Sequence, residues 1–378
     1  DQIKLLIKNI EYDQVVKDKF TESLENGIYE SHHTFLENPL LATMMLLTFD
    51  QIGEVPDKMH IFYDKCFDVL VREHDTTKAL FVREMYSGLN PEHFKDLFTY
   101  FCAIGYYDSK YFYNEDEIID YIEKALGAIG WEIDPNRILR DLTESSSIMQ
   151  RDGTGYAFAH RSFQEYFMSR FLVRCKSIPL NDLLFPIQER VFSDNVINMA
   201  FDIDREYMEE QFLLPNLRTL VKEIEAIDVN MHPVSFFRLF FTEIIGRPDS
   251  QSQTLSFAID VEKESYFLIL FILENVESDR RNGKYVSPFY GYDGEPKRVY
   301  DAEKLRRELR KGDSDKDVDI STGNLEEKHN TLIRDMYVIE ELHAMKEWIK
   351  NIHREIEEDI RSRNKRLSDA IFKNRKNN

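Results

Sequence analysis

Apolar positions recur at three- and four-residue steps through most of this chain, the spacing of helices that bury one face. Between Asp13 and Tyr29, the residues Val15, Val16, Phe20 and Leu24 fall close to one side and predict an amphipathic helix. Asn38-Pro39 opens the next, with Asn38 as N-cap and Pro39 at the first helical position, where its missing N–H removes nothing. Leu40 to Phe49 is apolar almost all round, which in a globular protein requires burial on more than one side. After Gly53 and Pro56 a further helix carries Phe62, Cys66, Phe67 and Leu70. Asn90-Pro91 repeats the cap-plus-proline start, and Phe94, Leu97, Phe98, Phe101 and Cys102 then share a face. Glu115–Leu126 reads as another amphipathic helix ending at Gly127, and Asp134-Pro135 opens a third running through Ser147.

The period then changes. Ile148–Arg151 and Tyr156–Ala159 are short β-compatible runs joined by Asp152-Gly153-Thr154-Gly155, which is hairpin turn chemistry. Ser162-Phe163-Gln164-Glu165 has the form of a capping box, predicting a helix with Ser162 as its N-cap. Phe163, Tyr166, Phe167 and Phe171 give that helix an aromatic stripe, and His160 is left at the strand-to-helix junction. Downstream, Pro179–Pro186 reads as a connection, Gln188–Phe201 as a helix, and Glu206–Ile227 as a helix broken or kinked before Pro215. Pro233–Gly246 is apolar enough to be buried, Tyr266–Val276 is a buried helix or strand, and Asp279–Tyr300 is a Gly/Pro-rich loop. A polar linker at Lys311–Asp315 precedes a long helix from Leu325, whose Leu332, Met336, Ile339, Leu342, Met345, Ile349, Ile352 and Ile356 form a coiled-coil-like seam. The fold class is therefore mainly α, with a winged-helix unit carrying one β-hairpin and a long C-terminal helix.

Two of these stretches carry a family resemblance. Tyr156-Ala-Phe-Ala-His160-Arg-Ser-Phe-Gln-Glu-Tyr-Phe167 resembles the end of the winged-helix domain in NACHT-type STAND NTPases, the superfamily of NOD-like receptors and their bacterial relatives. Asn38-Pro39-Leu40-Leu41 and the apolar run after it resemble the helix of the helical domain that follows the nucleotide-binding core in that family. The resemblance covers Asp1 to Cys175. It implies a helical domain over 1–88 and a winged helix over 89–176, and the apolar pattern alone divides the rest into a mostly helical domain over 177–300 and a linker with the long helix over 301–378. It implies, too, a P-loop core before Asp1, since the chain enters an amphipathic pattern at once without an initiator Met. No G-x-x-x-x-G-K-[ST] occurs within the chain, so these residues alone are not expected to hydrolyse ATP. In the family's terms, His160 donates a ring N–H to the β-phosphate of ADP in the off state, and Pro39 packs on the adenine. The cofactors implied are ADP or ATP with Mg in the full-length protein. Exchange for ATP on an unknown trigger ligand then opens the winged helix and permits oligomerisation, in antiphage or innate immune defence.

Composition narrows the alternatives. A net charge of −20 opposes non-specific nucleic-acid binding. A winged helix reads DNA through its third helix and wing, but Glu132, Asp134, Asp141 and Glu144 lie on or beside that helix, so nucleic acid is not an expected partner. No apolar run reaches the length of a membrane span, and no secretory signal is read at the start; the expected location is cytoplasmic. Cys66, Cys102 and Cys175 sit in apolar periodic stretches and read as reduced, buried residues. Catalytic and metal residues are not assigned: His32-His33 with Glu30 and Glu37 lacks the i, i+4 spacing of a metal helix, and Glu295-Pro-Lys297 after Asp293 lies in a loop. The competing readings are a nucleotide-independent helical scaffold that self-associates through 325–360 and, against the acidic charge, a DNA-binding winged-helix transcriptional regulator.

Overall fold

In a computed structural model, the described residues are 2–28, 36–53, 58–72, 85–240, 243–248, 253–258, 268, 318–321, 327, 330–335 and 339–372. They fall into two compact units, residues 1–177 with 191–204 and residues 178–190 with 205–378. The chain is mainly helical. No described helix is long and apolar enough to cross a membrane.

The first unit begins with α1 (Gln2–Asn9) and α2 (Gln14–Ser23), which runs on into a wide turn at Leu24–Ile28. Asp13 caps α2 by accepting the Val15 and Val16 amides. Phe20 and Leu24 are buried as the periodicity requires, but Val15 is 61% exposed and stands off the predicted face. The α3 helix (Pro39–Ile52) starts where expected, with Asn38 Oδ1 accepting from the Leu40 and Leu41 amides, and stops at Gly53 in the left-handed conformation. Its Leu41, Ala42, Met45 and Leu46 are nearly inaccessible, and α4 (Met59–Arg72) packs beside it.

The winged helix follows. Its helices are α5 (Pro91–Tyr107), α6 (Glu115–Ile129) and α7 (Pro135–Arg140), the last extended by a π-type turn at Asp141–Ser145. Helix α6 ends at Gly130 (φ 83°), three residues beyond the predicted Gly127, because Gly130 is where the chain turns left-handed and closes onto the Leu126 carbonyl. Strands β2 (Met149–Asp152) and β3 (Gly155–Phe158) form the predicted hairpin, with Arg151 opposite Tyr156 and Asp152 opposite Gly155. A third strand absent from the prediction, β1 (Phe112–Asn114), pairs antiparallel with β3, giving the order β1-β3-β2. Only glycine fits at position 155: an added Cβ would lie 2.4 Å from the Tyr113 carbonyl oxygen and 2.5 Å from the Phe112 ring. Helix α8 (Arg161–Arg174) closes the unit and packs on α5 and on α10 (Val196–Ile203). One continuous apolar core runs from Ile7 through Phe67, Phe98 and Phe158 to Phe167, so the segments 1–88 and 89–176 share it.

In the second unit, α9 (Leu180–Leu184) occupies the stretch read as a connection and leads into a tight helical run at Phe185–Phe192. The predicted break before Pro215 takes the form of a π-type turn at Glu209–Leu213, between α11 (Arg205–Met208) and α12 (Leu214–Ala226). Widening the helix there accommodates a residue that lacks an N–H and crowds the preceding turn. Pro233–Gly246 is not one element: α13 (Pro233–Phe240) gives way to β4 (Glu243–Pro248), which lies between β5 (Gln253–Ala258) and β6 (Val318–Ser321) in a second antiparallel sheet. After the short α14 (Asn330–Asp335), the long helix is α15 (Ile339–Phe372). Its seam residues Leu342, Met345, Ile349, Ile352 and Ile356 are buried, and α15 packs on α12 and α13 of its own unit. Self-association through 325–360 would therefore have to use another face. Leu325, Met336, the 279–300 loop, the 311–315 linker and all of 266–276 except Leu268 lie outside the described residues.

Candidate functional site

The candidate site is built where β3 becomes α8. Phe158 is buried, the Ala159 amide donates to the Ile148 carbonyl, and His160 stays extended (φ −148°, ψ 136°) before the helix begins at Arg161. The N-cap is His160 itself: its Nδ1 accepts the Ser162 amide at 3.2 Å, and its carbonyl accepts the Phe163 amide at 3.1 Å. The predicted Ser162–Glu165 capping box does not form, because the helix starts ahead of it and Ser162 lies in its first turn. The Ser162 hydroxyl is hydrogen-bonded to the Tyr63 phenol of α4 instead. Glu165 turns to Arg161, at 3.2 Å, and to the Asn195 amide. Burial and the nearby Asp194 raise the Glu165 carboxyl above its ordinary range, against the pull of Arg161 and that amide.

This cap decides the tautomer of His160. An Nδ1 that accepts an N–H carries no proton, so the neutral ring holds its proton on Nε2 and presents a donor. Burial lowers the imidazole pKa, which favours the neutral ring near pH 7. Protonation would place a proton on Nδ1 facing the Ser162 amide and cost the cap. The residue is half-buried. The adjacent Arg161 guanidinium lies 4.4 Å from the Tyr111 ring centre and is 47% exposed in its side chain.

Pro39 is exposed at the first position of α3. No hydrogen bond joins it to His160; what the two share is α4, against which both α3 and α8 pack. Other candidates fare differently. His32, His33 and Glu30 lie outside the described residues, as do Asp293, Glu295 and Lys297. Among the described residues no group of three or more His, Cys, Asp and Glu side chains converges on a point. Cys66, Cys102 and Cys175 are all buried free thiols; burial pushes Cys66 up to about 12, against a hydrogen bond with Thr48, and raises Cys102 as well. Asp141 is not the surface charge of the sequence reading. It is fully buried and accepts the Tyr86 amide at 2.7 Å and the Ser87 amide at 3.0 Å.

Sequence reasoning missed a polar cluster beside the site. Asp64 of α4 accepts the Tyr166 hydroxyl from α8 at 2.7 Å and is ion-paired with Lys95 from α5. Lys95 also reaches Asp68 at 3.3 Å. Burial alone would raise the Asp64 carboxyl, but the bonds from Lys95 and Tyr166 and the ammonium charge outweigh it and hold the group below its ordinary value. The only signal in the sequence was a lysine within an apolar periodic face, which spacing alone cannot distinguish from a solvated one. No protein-family model, curated protein or solved structure matches this chain.

Proposed function

We propose that this chain is the regulatory and C-terminal part of a NACHT-type, nucleotide-dependent signalling switch whose P-loop core is supplied upstream of Asp1. In the off state His160 Nε2–H donates to the β-phosphate of ADP held by that core, with Pro39 against the adenine. Exchange for ATP, with Mg, releases the winged helix and permits oligomerisation in a defence response. The observation that carries this reading is the one-sided anchoring of His160. Its Nδ1 is committed to the helix it caps, so the only proton of a neutral ring is on the other nitrogen of a residue that is itself only partly buried. A helix N-terminus, moreover, favours an anion nearby.

The test uses the protein together with its nucleotide core. A hydrogen bond to a charged group contributes about 1.5–3 kcal/mol, so His160→Ala should speed ADP release roughly 10- to 100-fold and produce ligand-independent signalling. Unaltered release would remove His160 from the mechanism.

A further inference from the structure

A single carboxylate ties three helices of the first unit together. Asp64 on α4 holds the Tyr166 hydroxyl of α8 and the Lys95 ammonium of α5, and Lys95 is shared with Asp68 one turn along. The Lys95 side chain is 5% exposed, and its ammonium lies 5.4 Å from the centre of the Phe67 ring. Phe67 is itself wedged among Phe94, Phe98 and Phe167. The seam between α4 and the winged helix therefore has an apolar wedge and, beside it, a cluster of two carboxylates, an ammonium and a phenol.

Such a cluster is a weak adhesive. Drying the Lys95 ammonium against two carboxylates that stay 33% and 24% exposed costs about as much as their attraction returns, whereas apolar side chains of the same volume would hold the seam more firmly. When the seam parts, Lys95 regains water, and the resistance comes from the apolar contacts, those of Phe67 and those of Tyr63 with Phe163 and Tyr166. A second link lies one turn away: Ser162, in the first turn after His160, is bonded to Tyr63, the residue before Asp64. Movement at the His160 end of α8 is thus passed to α4 through both the Ser162–Tyr63 and the Tyr166–Asp64 bonds. We propose that the Asp64–Lys95–Tyr166 cluster is the release catch between α4 and the winged helix, setting the seam's register while leaving it easy to open. As a part of the switch, this rests on the nucleotide reading given above.

Native-state hydrogen exchange on the chain tests the catch without nucleotide. Lys95→Ala strands two carboxylates and should speed exchange about tenfold or more in α4 and α8, leaving α6 at the wild-type rate. The triple variant Asp64→Leu/Lys95→Met/Tyr166→Phe removes three of the four groups together, leaving only Asp68, whose side chain is 24% exposed and keeps its water, and should slow opening of α4 and α8 about fivefold or more below wild type. A Lys95→Ala effect that extends equally through α6 would be global destabilisation and overturn the catch. A triple variant that opens faster than wild type overturns it too, and decides alone if Lys95→Ala does not fold. ADP release from the protein with its core is the separate arm: the expected exchange pattern with unaltered release from Lys95→Ala upholds the catch and sinks the nucleotide reading instead.

Discussion

Asp141 offers a sharp test of how the winged helix is held to the residues that lead into it. Its carboxylate is fully buried at the π-type turn of the third winged-helix helix, accepting the Tyr86 and Ser87 amides at 2.7 and 3.0 Å and the Ser145 hydroxyl at 3.2 Å. The neighbouring Arg140 guanidinium lies 3.6 Å from the centre of the Tyr86 ring and covers the same loop from outside. Asp141→Ala removes three bonds to a charged acceptor, of which the two from amides are each worth about 1.5–3 kcal/mol, but Tyr86 is 41% exposed and its amide regains part of that from water, and the Ser145 hydroxyl can rotate to another acceptor. The net loss should be about 2–4 kcal/mol, and Asp141→Asn, which keeps one acceptor oxygen, should lose roughly half as much. The chain has two tryptophans, and only Trp131 lies in the first unit. Urea unfolding followed at Trp131 in a Trp348→Phe background therefore reads the relevant unit. If Asp141→Ala changed stability by less than about 0.5 kcal/mol, the carboxylate would not be the anchor its geometry describes.

Further predictions follow from the same structure. His160→Ala should cost about 1 kcal/mol through loss of the cap, and His160→Asn, whose side-chain oxygen also caps, should restore it in the same urea assay. Because burial holds the folded His160 pKa below its ordinary 6.5, the unfolded chain binds the proton first as pH falls; stability should decline on acidification below about 6.5, and comparing pH series of wild type and His160→Asn should show a shallower slope in the variant, the remainder carried in part by His60, whose pKa burial also lowers. Gly155→Ala drives a Cβ into the Tyr113 carbonyl and should cost about 1–3 kcal/mol, with faster amide exchange in β1 and β3 as its signature. With its pKa pushed up to about 12 and its side chain buried, Cys66 should resist a thiol reagent at pH 8, where only about one thiol in ten thousand is ionised, and react once urea unfolds the chain.

The parts of the fold legible in the sequence are those whose causes are local. Asn38-Pro39, Asn90-Pro91 and Asp134-Pro135 each cap a helix at the expected residue, and the Asp152–Gly155 turn joins the expected strands. The misses have non-local or competing causes. Strand β1 is three residues long, too short to show a period, and exists because β3 offers it an edge. The β4–β6 pairing links residues about seventy apart, beyond any local signal. At the site, the sequence pattern pointed to Ser162 as the cap, but His160 takes that place because it ends the strand in an extended conformation with Nδ1 over the first turn. The place of His160 at the strand-to-helix junction was legible in the sequence, but its orientation, with Nδ1 toward the helix, emerged only from that cap. Lys95 and Asp141 were hidden for the opposite reason. Charged residues in a helical pattern read as solvent-facing until their partners from distant segments are seen.

The proposed switch depends on His160 Nε2 donating to a nucleotide, and one measurement reaches that proposed role directly. In the protein with its nucleotide core, ADP release should be timed for wild type and for His160→Asn, which preserves the helix cap while withdrawing the ring donor. Release about 10- to 100-fold faster at unchanged urea stability is the predicted result. Equal release rates, with the variant folded, would contradict it.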